Sequence, residues 1–462
     1  MKESGLFEHV SLSSEVLRME RAVPRGQTVL VDAYLSPLIG EYVAHFCGGF
    51  DAGLPAVDLS FMQSDGGLCP MSQFRGSRAI LSGPAGGVVA IAQSAWDLRA
   101  AIGEEKMPDG VIGFDMGGTS TDVCRFDRDF EHVYDATIAG VAIQVPQLDI
   151  QTVAAGGGSI LTAADGLLRV GPESASANPG PACYRRQGPM AVTDANLVLG
   201  RLQPAWFPHI FGPAKNEPLS PEAALQAASA ILASPEGAAI ASTLPAVHPD
   251  LTPLEVLSLG FIRVANEAMC RPIRTITEAR GHDARRHALC VFGGAGGQHA
   301  CAIARNLGIE TVLVHRFGSI LSAYGLALAD LVIDLQEPSA AILHLDSWSG
   351  LQSQLAVVRQ QAHTKLLEST TVRGQVSLTE FLHIRYKGTD TAIMVAAPAG
   401  EMNSVEGYRA SFEASYEAEY GFTLKGRDLL VDNVRCRASM HQPPRGRAPS
   451  PVQSTPVQSD SA

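Results

Sequence analysis

The sequence predicts an α/β protein, and three observations carry that expectation. Residues 109–126, DGVIGFDMGGTSTDVCRF, read as strand, glycine turn, strand. Residues 288–314 read as strand, glycine loop, helix, strand. Around both, stretches of helical apolar spacing alternate with short β-branched runs.

The first of these stretches organises the rest. Val111–Phe114 is an apolar strand-type run, Asp115 leads into a turn at Gly117 and Gly118, and Thr119–Phe126 is β-branched and loosely alternating. A dinucleotide site of the Rossmann type needs glycines that open into a helix, so this turn argues against NAD. Glycines without side chains let backbone N–H groups approach an anion, and Thr119, Ser120 and Thr121 add hydroxyls. Asp115 and Asp122, one at each end of the turn, suit a hydrated Mg²⁺ held between protein and nucleotide. The plainer alternative is a glycine hairpin on a buried strand with two solvated aspartates.

The chain has 462 residues, 46% hydrophobic and 18% charged, enough to bury sizeable cores in about three domains. A formal charge of −12 and the lack of a long Lys/Arg cluster argue against a nucleic-acid surface. Eight scattered cysteines without a CxxC pair read as reduced, mostly buried thiols. No uninterrupted apolar run has membrane-spanning length, and the first residues carry no apolar signal segment. The expectation is a cytoplasmic protein with neither nucleic acid nor membrane as partner.

In chain order, Leu30, Tyr34, Leu38, Tyr42 and Phe46 recur every fourth residue, as on an amphipathic helix, although Pro37 fits it poorly. Val57–Met62 is a strand ending in the turn Ser64–Gly67. Ile80–Gly87 is a glycine-rich turn before a helix at Val88–Trp96, either an anion site or a close-packing turn. Glu131–Val145 holds short strands. Gly156, Gly157 and Gly158 mark either a close backbone approach or a flexible connection. Residues 165–213 are irregular but packed. Helices are expected at Pro221–Ala233 and at Leu254–Ile276, where Val256, Leu259, Ile262, Val264 and Ala268 supply apolar positions until Pro272 interrupts. Ala288–Phe292 leads through Gly293, Gly294, Ala295, Gly296 and Gly297 into a short helix that Gly308 stops, and Ile309–Val314 is the next strand. His299 is either a phosphate contact or a structural hydrogen-bonding group. Ser322–Leu335 is helix then strand, Leu351–Glu368 an exposed helix, Leu378–Tyr386 and Thr391–Ala397 strands, and Tyr408–Tyr420 a helix. From Gln442 the Pro/Ser/Gln-rich end is expected to be a disordered tail.

Seven segments taken together resemble the hydantoinase A / 5-oxoprolinase family: ILSGPAGGVVA (80–90), VIGFDMGGTSTDV (111–123), PQLDIQTVAAGGGS (146–159), NPGPACY (178–184), VTDANLVLGRL (192–202), RVANEAMCRPIR (263–274) and GGAGGQHACAIARNLG (293–308). The resemblance implies an actin/sugar-kinase/Hsp70-like fold of two ribonuclease-H-like lobes with ATP between them. Its expected division is 1–108 as the remainder of a first lobe, 109–338 as the second lobe, 339–441 as a C-terminal α+β domain and 442–462 as tail. It implies Asp115, Thr119 and Asp149 as catalytic residues, and Asp115 and Asp122 as Mg²⁺ ligands. Nucleotide contacts would come from Gly117, Gly118, Thr119, Ser120, Thr121, Gly157, Gly158, Gly293, Gly294, Gly296 and Gly297, with Asp194 and Asn196 either near the cleft or capping a helix. The implied chemistry is ATP-dependent opening of 5-oxo-L-proline, or a related cyclic amide, to L-glutamate, ADP and phosphate. Hydantoin or a ketone substrate, or a non-catalytic scaffold, are the alternatives. Relatives of this type carry another glycine–threonine hairpin in the first lobe and a B-type half beyond the last matching segment. The resemblance therefore implies an incomplete copy that works as a homo-oligomer or with a B-type hydantoinase/oxoprolinase half.

Overall fold

The computed structural model describes residues 5–19, 21–50, 58–103, 108–138, 140–243, 250–370, 374–398, 400 and 403–441. The expected tail from Gln442 lies outside the described residues.

The main strands, in chain order, are β1 (Ser60–Met62), β2 (Leu68–Pro70), β3 (Gly110–Met116), β4 (Thr121–Asp127), β5 (Asp129–Phe130), β6 (Ile150–Val153), β7 (His287–Phe292), β8 (Thr311–Val314), β9 (Leu331–Ile342), β10 (Gln375–Tyr386), β11 (Ile393–Ala396) and β12 (Leu429–His441). The helices used below are α1 (Ala22–Gly48), α2 (Ser82–Ile102), α3 (Val192–Val198), α4 (Pro221–Ala233), α5 (Pro253–Ile276), α6 (Ala300–Leu307), α7 (Leu321–Leu328), α8 (Leu345–Glu368) and α9 (Val405–Tyr420). The α/β class is therefore as expected. The described chain divides into two compact units, one of residues up to 89, 132–148 and 326–441, the other of 90–131 and 149–325.

The first unit is built on a sheet of order β1-β2-β9-β12-β10-β11. Its long strands β9, β12 and β10 pair antiparallel. One face buries Leu351, Leu355, Val358, Ala362 and Leu366 of α8 and Tyr408, Phe412 and Tyr416 of α9. The expectation of an exposed helix at 351–368 is thus corrected: it is amphipathic, and its apolar stripe is core. Strand β12 was not foreseen because Asp432, Arg435 and Arg437 break its apolar pattern. Those charges are matched inside the unit. Asp334 accepts a bidentate bond from buried Arg435, Asp65 pairs with Arg437 at 2.7 Å, and Asp432 pairs with Arg385 at 2.9 Å.

Helix α1 forms as expected and runs through Pro37, and it is the polar face that turns inward. Thr28, Asp32 and Ser36 look into the unit. Thr28 Oγ1 accepts from Gln144 N (2.9 Å), Asp32 from Ser77 N (3.1 Å) and Ser77 Oγ (2.8 Å), and Ser36 Oγ from Gly76 N (3.2 Å). A Cβ on Gly76 would lie 2.6 Å from Leu35 Cβ and from Ser36 N, so only glycine lets this helix sit so close.

The second unit is built on a mixed sheet of order β6-β4-β3-β7-β8, with β5 on β4. β3, β4 and β6 are antiparallel, while β7 lies parallel to both β3 and β8. Its core joins Ile112, Phe114, Met116, Leu289 and Val291 of the sheet to Phe261, Met269 and Ile273 of α5 and Ile303 of α6. Two expectations change here. Helix α5 continues through Pro272 to Ile276, and of the five apolar positions named before that proline only Ile262 is buried. The stretch is apolar on several sides, so spacing alone leaves its phase open. The buried row is Leu257, Phe261, Ala265, Met269 and Ile273. Helix α2 begins at Ser82, which places Gly83, Gly86 and Gly87 inside it rather than in a turn before it; Pro84 suits a first helical turn.

Candidate functional site

All the residues of the site described here belong to the second unit. β3 and β4 pair in register Asp115↔Asp122 and Met116↔Thr121, so the loop between them is only Gly117–Ser120. Gly117 N donates to Ser120 O at 3.0 Å and closes the turn. Gly118 and Thr119 are exposed at its tip. Among the described residues, the amides of Gly118, Thr119 and Ser120 donate to no protein acceptor. A tight tip with unspent N–H groups is an anion-facing arrangement.

Two other glycine segments brace this hairpin. Gly157 N donates to Gly117 O (3.0 Å) and Gly158 N to Gly118 O (2.6 Å). A Cβ on Gly156 would stand 2.7 Å from Thr119 N, so the backbones touch. The triple glycine is thus a close approach rather than a flexible connection, and what it approaches is the hairpin. From the other side, Ala295 N donates to Met116 O (3.0 Å). Gly293, at φ 79°, leaves no room for a side chain: an added Cβ would lie 2.3 Å from Asp115 Oδ1 and 2.5 Å from Met116 O. At Gly294 and Gly297 an added Cβ would meet nothing within 4 Å.

The two carboxylates stand opposite one another at the base of the turn. Burial pushes Asp115 up to about 6, with the Asp122 charge adding to the effect. Burial raises Asp122 as well, against the hydrogen bond it accepts from Thr152 Oγ1 at 2.6 Å. Two half-buried acids that resist ionisation together form a hole for positive charge. Among the described residues no group of three or more His, Cys, Asp or Glu has the placement of a metal site. A carboxylate pair instead fits a cation that keeps most of its waters and takes further oxygens from phosphates, as Mg²⁺ does.

The structure therefore brings together Asp115, Gly117, Gly118, Thr119, Ser120, Asp122, the 156–158 segment and Gly293. Thr121 lies beside them, but it is buried and its hydroxyl donates to Ala155 O at 2.5 Å. Asp149 is elsewhere. It is buried in an ion pair with Arg280, one residue before β6 and three before Thr152, about 10 Å away by strand rise. Asp194 caps locally, accepting from the amides of Ala182, Cys183 and Ala191. His299 is fully buried between Asn266 (2.7 Å) and Asn196 (3.1 Å), and burial, with Arg201 adding, pushes it down to about 4. Both are structural hubs. The reading missed Thr152 and also Thr193, whose hydroxyl and amide both donate to Gly157 O at 2.8 Å. Thr152 stands four residues before the triple glycine, whereas Thr193 is 36 residues from Gly157 and carries no local signal.

The eight cysteines are free, with Cys301 exposed, Cys47 partly so and the other six buried. Among the described residues no helix is long and apolar enough to cross a membrane.

A mixed sheet presenting a glycine–threonine hairpin between paired aspartates, braced by two further glycine loops, agrees with comparison to known proteins. The family profile described as Hydantoinase/oxoprolinase matches residues 25–335, and the chain belongs to that family. It is 50% identical over 444 residues to a 5-oxoprolinase of Dictyostelium discoideum, covering 94% of this chain and 34% of that one. It is 51% identical over 431 residues to 5-oxoprolinase 1 of Arabidopsis thaliana, covering 93% and 33%. The crystal structure of the ATP-dependent caprolactamase of Pseudomonas jessenii superposes with a TM-score of 0.75 at 30% identity, over 98% of this chain and 63% of that one. The chain thus spans about a third of the length of the two 5-oxoprolinases.

Proposed function

We propose that this chain is the ATP-binding, phosphorylating part of an ATP-dependent cyclic-amide hydrolase acting on 5-oxo-L-proline. The observation that carries the reading is the hairpin tip, whose Gly118, Thr119 and Ser120 amides face outward above the Asp115/Asp122 pair. The strand order β6-β4-β3-β7-β8, three antiparallel strands followed by two parallel ones, supports a ribonuclease-H-like lobe of the actin/sugar-kinase type. That reading also divides the chain into a first-lobe remainder (1–108), this lobe (109–338) and a C-terminal α+β domain (339–441).

The chemistry follows from the substrate. A lactam carbonyl is resonance-stabilised and resists water. Transfer of the γ-phosphoryl group to its oxygen makes the carbon electrophilic, and water adds to it; the ring nitrogen takes a proton and leaves, giving an acyl phosphate that a second water hydrolyses to carboxylate and phosphate. Phosphoryl transfer needs mainly positioning and charge neutralisation. In this reading the tip amides and the Thr119 hydroxyl would hold phosphate oxygens, and Asp115 and Asp122 would hold Mg²⁺. The bound ion would neutralise phosphate charge. Gly157 and Gly158, their own amides spent, keep the tip in place, and Gly293, Gly294, Gly296 and Gly297 border the nucleotide. Asp149, held by Arg280 at the far end of β6, anchors the strand that carries Thr152 and has no chemical role here. The 5-oxoprolinase and caprolactamase relatives share a lactam as the bond their names imply, which favours a cyclic amide over a ketone. A partner, either a second copy or a B-type hydantoinase/oxoprolinase half, completes ring opening in the cytoplasm.

The test is calorimetric titration of the 462-residue chain with MgATP, with and without 5-oxoproline. Saturable binding that Thr119→Ala weakens is the expected result. No heat of binding from a well-folded chain would overturn the proposal.

A further inference from the structure

We infer that the outward face of α1 is a docking surface for oxoprolinase-type polypeptide lying outside these 462 residues. The two long stripes of this helix are reversed relative to an ordinary surface helix. The polar one, Thr28, Asp32 and Ser36, is spent on Gln144, Ser77 and Gly76 inside the first unit. The apolar one, equally regular, points out: Leu30 is 70% exposed, Tyr34 74%, Leu38 54%, Tyr42 58% and Phe46 40%. Val23 and Phe50 extend it at either end. Between Arg25 and Glu41 the only charged residue is Asp32, which is buried.

A helix apolar on its outer side and uncharged over four turns belongs inside a larger protein body. The stripe exposes roughly 600 Å² of apolar side chain, at the upper limit of what a free monomer surface carries and near one side of a standard interface. Between Arg25 and Glu41 the helix carries no Lys or Arg to meet an anionic lipid surface, so protein rather than lipid is the natural cover. Which protein follows from the comparisons. Nearly all of this chain matches the 5-oxoprolinases, yet it spans about a third of them, so two thirds of a relative's length is available to lie on the corresponding helix. The lack of exposed charge across the stripe fits a permanent, core-like contact with an equally apolar surface, not a transient one. The inference rests on family membership and this face, and is independent of nucleotide binding.

The experiment is co-expression of the full 462-residue chain with the segments of the Dictyostelium discoideum 5-oxoprolinase that flank its matched region, followed by size-exclusion chromatography with light scattering. The expected result is a stoichiometric complex whose dissociation constant rises at least tenfold with Tyr34→Glu/Leu38→Glu. The milder Tyr34→Ser/Leu38→Ser acts in the same direction and guards against misfolding, which circular dichroism of each variant alone checks. In the wild-type complex, hydrogen exchange of the α1 amides slows. The inference is overturned if the wild type captures neither segment, or if the complex survives in folded variants. It is equally overturned if the chain alone forms a dimer that the variants dissolve, which would make a second copy the occupant, or if it instead floats with phosphatidylcholine vesicles.

Discussion

Replacing Asp115 with Asn is expected to stabilise the protein and remove its hold on nucleotide in the same step. The carboxyl is raised from 3.8 to about 6, first by burial and then by Asp122. Two units at about 1.4 kcal/mol each give about 3 kcal/mol for a fully buried group, and partial solvation of a half-buried one reduces this to about 1–2 kcal/mol. The sign is fixed by linkage. A folded pKa raised above the unfolded one gives stability that is full below pH 3.8 and is lost as pH rises through 6. In EDTA, Asp115→Asn is therefore more stable than wild type by about 1–2 kcal/mol at pH 8, a margin that closes as pH falls to about 4. Chemical denaturation across pH 4–8, repeated with MgATP, is the assay. MgATP stabilises the wild type and leaves the variant unmoved. A variant less stable than wild type at pH 8, or one equally stabilised by MgATP, would refute the reasoning.

The glycines next to the site differ sharply in what they tolerate. Gly293→Ala forces a Cβ to within 2.5 Å of Met116 O at φ 79° and is expected to cost about 2–4 kcal/mol in thermal unfolding. Gly294→Ala meets nothing within 4 Å and is expected to change stability by about 0.5 kcal/mol or less. At His299, a folded pKa of about 4 against 6.5 means that its contribution is full above pH 6.5 and falls away toward pH 4. Denaturation at pH 7.5 and pH 5 is expected to show wild type losing about 2 kcal/mol more than His299→Gln; parallel losses would place the acid sensitivity elsewhere.

The second unit was largely legible because its strands and glycines carry local signals. The hairpin showed itself as an apolar run, two glycines and a β-branched run; the 293–297 loop showed itself between a strand and a helix. What could not be read was partnership. Asp149 and Asp115 look alike in sequence, and only the fold ties one to Arg280 and sets the other against Asp122. The first unit was harder for the same reason. Its sheet joins residues 60–70 to 331–342 and 429–441, and Arg435 and Arg437 of β12 have their partners about a hundred or more positions away. In α1 the spacing rule found the stripe but left open which side it takes, since periodicity locates a face and says nothing of what lies against it.

A peptide group is as much an acceptor as a donor, so a bare loop has no preference between a phosphate and an ammonium ion. The hairpin tip has been made one-signed from behind. Three of its carbonyls are occupied, Gly117 O by Gly157 N, Gly118 O by Gly158 N and Ser120 O by Gly117 N, and Met116 O just before it takes Ala295 N. With its negative ends covered by neighbouring amides, the loop shows solvent chiefly its positive ends. The flanking glycine segments thus act as a rectifier, giving polarity to a turn that contains no charged residue of its own between Asp115 and Asp122.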